Sequence, residues 1–590
     1  MLIGNHIGTV CYRIGLNAAD KMYVQLYQMH HVGERADDIL RKQSARGGTK
    51  QPMTHAHSWW QTGVIYQIYP RSFLDSNGDG IGDLPGITSK LDYLRWLGVD
   101  ALWLSPISPS PMADFGYDIS NYTDVHPLFG TLQDLDSLLY EAHQRDLKVI
   151  LDFVPNHTSD EHPWFQQARE SRTNEKRDWY IWHDPAPDGG PPNNWMSRFG
   201  GSAWQFNEHT GQYYLHLYDV KQPDLNWHNQ EVRQAMYDVL RFWLERGVDG
   251  FRVDVIWLLL KDEQFRDNPM NPDWKPGDLP NARQLGWFTE DQPGIHEIVR
   301  EMRAVVDHYG ERVLIGEIYL PLVRLMHYYG EQLDEAHLPF NFQLVTLPTW
   351  EASTIRQVVD AYEGALPPGA WPNWVLGNHD RPRVATRVGR EQARMAQMLL
   401  LTLRGTPTCY YGDELGMQNI PIPRALMHDP KGKEHPEQSR DPERTPMQWD
   451  SSTNAGFCPA GVKPWLPVAS DYQTFNVAAE QHDPRSFLML ARALLDVRRS
   501  HGALTLGSYQ SVEQENATCF VYLRQYADQR CLVALNFSTH DQVVTLPEQG
   551  QGRVLLSTHG DREGLIPFSE VHLRGNEGLL IEVEVSSLSG

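Results

Sequence analysis

Four short segments place residues that chemistry uses inside apolar runs. DFVPNH carries Asp152, Asn156 and His157, and GFRVDV carries Arg252 and Asp254. GEIY carries Glu317, and GNHDRPR carries His379 and Asp380. An unpaired charge among apolar side chains is costly, so carboxylates held there must be paired or used. A purely structural ion pair, Arg252 with Asp254 for example, explains any one segment. Four of them together point to one pocket built for nucleophilic or acid–base work. A fifth segment, DSNGDGIGD, spaces Asp75, Asn77, Asp79 and Asp83 at alternate positions with glycines that permit a tight loop. Such an oxygen set suits a hard cation such as Ca²⁺. It is no full EF-hand, because Gly86 stands where the bidentate Glu belongs, and a solvated acidic turn is the alternative.

The elements that would position these residues alternate between short apolar runs and amphipathic stretches from Trp59 onward. Strands are expected at Val64–Tyr69, Ala101–Leu104, Lys148–Val154, Gly250–Val255, Val313–Ile318, Phe340–Val345, Trp374–Gly377 and Thr408–Gly412. Eight βα units imply a TIM-like (β/α)₈ barrel, whose strand C-terminal ends converge on one face. The polar residues named above fall at those ends. Two stretches interrupt the alternation. Residues 156–225, rich in Pro, Gly, Asn and Trp, read as a small domain inserted after strand three. Residues 413–472 read as a long loop after strand eight. The barrel is thus expected over 59–155 and 226–503, and successive short strands over 504–590 imply an all-β C-terminal domain. Residues 1–58 fit none of this, and are expected to be an extension of unknown role or an overcalled start ahead of Met53.

Composition limits the partners. The 590 residues hold 52 basic and 75 acidic side chains, a formal charge of −23, which disfavours nucleic acid and anionic membranes. The aromatic content of 11% suits sugar stacking, although cores use the same residues. The cysteines Cys11, Cys409, Cys458, Cys519 and Cys531 form no CxxC pair and read as free thiols of a reducing compartment. With no apolar run of membrane-spanning length and no signal-peptide pattern, the expected location is the cytoplasm. Whether the chain is a monomer or a homo-oligomer is not written in it.

Taken in order, DFVPNH, QPDLN, GFRVDV, GEIY and NHD resemble the characteristic regions of the α-amylase superfamily, glycoside hydrolase family 13. The opening VIYQIYPRSFLDSNGDGIGDLPGI and the later RTPMQW are similar to its α-glucosidase and oligo-1,6-glucosidase branch. The resemblance implies Asp254 as nucleophile, Glu317 as proton donor and Asp380 as transition-state stabiliser. Arg252 would orient the nucleophile, and His157 and His379 would hydrogen-bond the sugar. Asp114 and Tyr117, in ADFGYD, would form the pocket floor with Arg440 as partner, and Phe199, Gln222 and Val255 would line the site. An ordinary surface pair is the other reading of Asp114 and Arg440. Asp75, Asn77, Asp79, Asp83 and the carbonyl of Ile81 would bind a structural Ca²⁺ or Mg²⁺, and no organic cofactor is implied. The substrate would be a small neutral oligosaccharide or glucoside, cut from its non-reducing end with retention. Val255 after the nucleophile goes with α-1,6 activity in that branch. The rivals are a glucosyl transferase or sugar-converting relative with the same three carboxylates, and a catalytically inactive scaffold homologue.

Overall fold

The computed structural model describes residues 57–275, 280–546 and 550–583, so the expectations for residues 1–56 lie outside it. Eight parallel strands form the central sheet: β1 (Ile65–Ile68), β2 (Ala101–Leu104), β3 (Lys148–Phe153), β4 (Gly250–Val253), β5 (Val313–Gly316), β6 (Leu338–Pro339), β7 (Asn373–Val375) and β8 (Thr406–Tyr410). Ladders run from β7 through β8 and β1 around to β6. The β6–β7 seam is closed by a side chain: Asn373 accepts the Asn341 N–H (3.0 Å) and donates to the Pro339 carbonyl. The fold is therefore the expected (β/α)₈ barrel.

Strand six departs from expectation. The run Phe340–Val345 is no strand; the ladder ends at Pro339, and the last N–H to reach β5 is that of Phe340, on the Gly316 carbonyl (2.7 Å). Phe340 and Phe342 turn inward instead and fill the barrel interior with Ile65, Trp103, Ile150, Val313 and Ile315. Their apolar character reflects that packing, not a ladder.

Amphipathic helices cover the outside: α1 (Leu91–Leu97), α2 (Leu132–His143), α3 (Gln230–Glu245), α4 (Ile295–Asp307), α5 (Ala352–Ala365), α6 (Arg390–Thr402) and α7 (Phe487–Ser500). In α2 the apolar positions Leu135, Leu138, Leu139 and Ala142 recur at helical spacing and are buried, and Thr131 starts it with a capping box to Asp134. Only short turns join β5 to β6. Gly250 lets β4 approach β5, since a Cβ there would lie 2.4 Å from Val313 atoms.

The insertion after β3 carries a three-stranded antiparallel sheet of Trp182–His183, Trp204–Asn207 and Gln212–Leu215. Its return is tied to the end of β3 by a His157–Asp224 bridge, and buried Lys261 holds both Asp224 (2.7 Å) and Asn156 (2.7 Å). A six-stranded antiparallel sheet ends the described chain, in the order β9 (Ser508–Val512), β10 (Cys519–Tyr526), β11 (Gln529–Asn536), β14 (Gly578–Val583), β12 (Gln551–Ser557) and β13 (Gly564–Pro567). Arg524 on β10 fastens it to the barrel by donating to the Thr402 carbonyl at the end of α6.

Candidate active site

The parallel ladders extend one residue past the strands and fix the two central carboxylates by their main chain. Asp254 N–H donates to the Phe153 carbonyl (2.8 Å), and Glu317 N–H to the Val253 carbonyl (2.9 Å). Arg252, inside β4 and fully buried, then reaches three carboxylates with one guanidinium. Its Nη1 donates to Asp152 Oδ1 (2.7 Å) and Asp254 Oδ1 (2.8 Å), while Nη2 meets Glu317 Oε2 (2.5 Å). The Asp254 and Glu317 carboxyls thus meet on one guanidinium and interact strongly with each other. Burial pushes Asp254 well above the usual carboxylate range, and the Glu317 charge adds to this against the pull of Arg252. Burial likewise pushes Asp152 up, to about 6, against Arg252. One cation among three crowded carboxylates leaves negative charge in excess, so the cluster keeps a proton near neutrality.

Asp380, in the turn after β7, is set apart from them. Desolvation would raise it, but the Arg440 and Arg444 guanidiniums hold it well below the usual range. Arg444 Nη2 lies 2.9 Å and Arg440 Nη1 3.2 Å from Asp380 Oδ1. Behind it a relay runs from Gln67 Nε2 to His379 Nδ1 (2.7 Å), from His379 Nε2 to the Tyr117 hydroxyl (2.7 Å), and on to Asp152 Oδ2 (3.0 Å). Burial lowers His379 to about 3, so its imidazole is neutral, and Tyr117 stacks on it at 5.4 Å.

The far end is closed. Arg440 Nη2 binds Asp114 Oδ1 (2.6 Å) and Asp429 Oδ1 (2.6 Å), and Asp429 Oδ2 also accepts the Arg440 N–H (2.7 Å). The Arg440 and Asp114 side chains are only 10% and 5% exposed, so this is a buried clamp and not a surface pair. Gln222 braces it from behind with Nε2 3.3 Å from Asp114 Oδ2 and 3.1 Å from His157 Nε2.

These groups surround one cavity of about 440 Å³. Asp114, Tyr117, His157, Phe199, Asp254, Val255, Glu317, Asp380 and Arg440 lie on its wall, whereas Arg252, Gln222 and His379 stand behind it. Arg198, Tyr218, Trp257, Tyr319, Arg381, Lys431 and Gln438 complete the wall, and sequence reasoning named none of them. It also passed over Asp429 and Arg444, although Arg444 opens the RTPMQW motif. Val255 follows Asp254 in a left-handed conformation (φ 40°, ψ 44°), which costs a branched residue of order 1–3 kcal/mol.

The loop at Asp75 is a separate structure. Asp75 accepts N–H groups from Asn77, Gly78 and Gly80, Asn77 accepts that of Asp79, and Asp79 that of Ile81. Asp83 caps the helix Leu84–Ser89 through Gly86 N–H (2.7 Å) and takes the Ser76 N–H (3.0 Å). The side chains offer oxygen alone, which fits a hard cation in chemistry. Among the described residues no three His, Cys, Asp or Glu side chains form a metal cluster.

Comparison with known proteins decides the family. Residues 67–507 match the α-amylase catalytic domain, and residues 509–564 the maltogenic amylase C-terminal domain. The chain belongs to the α-amylase family, glycoside hydrolase family 13. Among relatives of this glycoside hydrolase, an α-glucosidase of Apis mellifera is 43% identical over 82% of this chain and 86% of its own. An oligo-1,6-glucosidase of Bacillus cereus is 38% identical over 89% of this chain and 99% of its own. The crystal structure of an α-glucosyl transfer enzyme, XgtA, superposes with a TM-score of 0.85 at 42% identity, covering 90% of this chain and all of that one.

Proposed function

We propose that this family 13 enzyme is an exo-acting retaining α-glucosidase, releasing glucose from short α-1,4- or α-1,6-linked glucosides. The observation that carries the reading is a pocket with two carboxylates on one guanidinium at its centre and a buried Asp114–Arg440–Asp429 clamp at its end. Retention needs two carboxyl groups about 5–5.5 Å apart, and two carboxylates bridged by the Nη atoms of one guanidinium suit that far better than the wider inverting gap of about 6.5–9.5 Å. Glu317 passes its proton to the glycosidic oxygen as the C–O bond breaks, while Asp254 bonds to C1. Water then attacks C1, Glu317 takes back a proton, and Asp254 leaves. Asp254 Oδ1 is held by Arg252, so Oδ2 is the attacking atom. Asp380 stays ionised and takes the sugar hydroxyls as the ring flattens. The clamp stops a chain from running through, which makes the enzyme exo-acting.

Val255 on the wall supports α-1,6 cleavage, with α-1,4 bonds tolerated. Asp75, Asn77, Asp79, Asp83 and the Ile81 carbonyl would hold a Ca²⁺ or Mg²⁺ that cross-links the loop. The four described cysteines are free thiols, and no described helix is long and apolar enough to cross a membrane. The free thiols support a cytoplasmic location. A second reading, glucosyl transfer to a sugar or alcohol hydroxyl, is favoured by the likeness to the α-glucosyl transfer enzyme. Hydrolysis of maltose, isomaltose, sucrose and maltotetraose followed by NMR tests both readings. We expect α-glucose as the first product, measurable isomaltose cleavage, and transfer products only at high sugar concentration. β-Glucose, or maltose as the first product of maltotetraose, would refute the retaining exo reading.

A further inference from the structure

The peptide plane between Asp254 and Val255 points the Val255 N–H across the gap between β4 and β5, where it donates to Glu317 Oε2 at 3.0 Å. Arg252 Nη2 meets the same oxygen at 2.5 Å. Both fixed donors thus converge on Oε2, while Glu317 itself stands on the cavity wall. The Val255 carbonyl accepts the Leu258 N–H (2.9 Å), and its side chain is 4% exposed, so the turn is fastened on both sides of the amide. We propose that the Val255 main-chain N–H is a positioning group for the acid/base. With Arg252 it pins Oε2, so that Oε1 is the atom that gives up and takes back the transferable proton. This rests on the α-glucosidase reading given above.

The arrangement has a physical consequence for both halves of the reaction. A donor aimed at a carboxylate oxygen favours the ionised form and fixes the plane of the group. The amide therefore eases proton release in the first half. In the second half it holds Glu317 ready as a base towards water. The N–H is aimed by the rigid Asp254–Val255 peptide plane, and the left-handed Val255 then turns the chain away into the Ile256–Leu258 helical turn. Other charged and titratable groups facing Glu317 are Asp254 and Asp152, Arg198 and Tyr218 from the insertion, Tyr319 after β5, and Arg381 after β7. None of them changes when only the amide is altered.

The test replaces Val255 by its α-hydroxy analogue through nonsense suppression, which exchanges the N–H for an ester oxygen and keeps the isopropyl group. The alkaline limb of kcat/KM against pH is expected to move up by about one unit, since the protonated acid loses a competitor. Val255→Gly keeps the N–H and the turn, so its limb should stay in place although its turnover falls with the lost wall. An unmoved limb in the ester variant, or an equal shift in Val255→Gly, overturns the proposal. Should the ester variant fail to fold, the native enzyme labelled with ¹⁵N-valine answers the same question. The amide proton whose peak disappears in Val255→Gly should shift with pH in step with the alkaline limb, and a pH-independent resonance overturns the proposal. Two controls separate the levels. If the unaltered enzyme cleaves neither maltose nor isomaltose, the α-glucosidase reading itself fails; if it does and Glu317→Gln is as active, Glu317 is not the acid/base and the proposal falls with it; if Glu317→Gln is inactive while the ester limb stays put, only the role of the amide fails.

Discussion

Arg252 serves three carboxylates because a guanidinium presents its donors as a rigid fork, which a lysine ammonium cannot reproduce. Its reach sets the charge state of the pocket. Asp152 and Asp254 are pushed up by burial, while Asp380 is held down by two other arginines. That division separates roles: Asp380 stays ionised across the working range, and the crowded Asp254 and Glu317 share a proton. The pH profile follows with a definite sign. Raising the pH removes the shared proton and ends acid catalysis, so kcat/KM should fall on an alkaline limb above the ordinary carboxylate range. Lowering the pH adds a second proton and removes the nucleophile. Asp380 should contribute no limb in the working range. Asp254→Asn should keep the fold and lose about 10³-fold or more in kcat, as judged by circular dichroism and steady-state rates. A variant with a tenth of normal turnover would show that another group attacks C1.

At the scale of elements, the strand ends were legible because a barrel strand is apolar until it reaches the catalytic face. Asp152, Arg252, Asp254 and Glu317 break that pattern where β3, β4 and β5 end, and Asp380 follows just after β7. Strand six misled for the opposite reason: Phe340 and Phe342 look like ladder residues, yet the ladder ends at Pro339 and they fill the interior. Asp429 was invisible since its meaning depends on a loop folding back to bring it to Arg440, eleven residues later. Lys431, Arg198 and Arg381 were unreadable likewise, because no periodic pattern marks a residue that a loop delivers to a pocket. The loop at Asp75 was read from spacing, and its test is thermodynamic. If its oxygens hold a cation only in the folded chain, excess chelator should lower Tm by linkage, and added Ca²⁺ or Mg²⁺ should restore it. Turnover of the folded enzyme should not need added metal. A Tm indifferent to chelator, in protein free of bound metal, would leave an acidic turn closed by its own N–H groups.

For the whole molecule, the buried carboxyls couple stability to pH in opposite directions at two places. Near the barrel, burial raises Asp413 to about 7, Glu480 to about 7 and Glu443 to about 8. The folded chain then binds more protons than the unfolded one between about pH 4.5 and 8, so stability falls as pH rises through that window. Asp152 and Asp254 add to the same slope. In the C-terminal sheet Glu577 behaves in the reverse way. It accepts from Arg574 Nη2 (2.6 Å), Ser557 Oγ (2.7 Å) and Arg562 Nη1 (3.1 Å), and although burial opposes this, the donors lower it to about 2. Its contribution is complete above the unfolded value of about 4.3 and is lost as pH falls towards 2. Allowing for screening by partial solvent access, that contribution is about 1–3 kcal/mol. Calorimetry from pH 3 to 9 should therefore find Tm highest on the acid side of neutrality, declining towards pH 8 and steeply below pH 4. Glu577→Gln should lower Tm at pH 6 and flatten the acid branch, leaving the decline towards pH 8 unchanged. A Tm that rises steadily from pH 5 to 8 would mean that the buried carboxyls near the barrel are ionised in the folded chain, each with a partner strong enough to offset its burial.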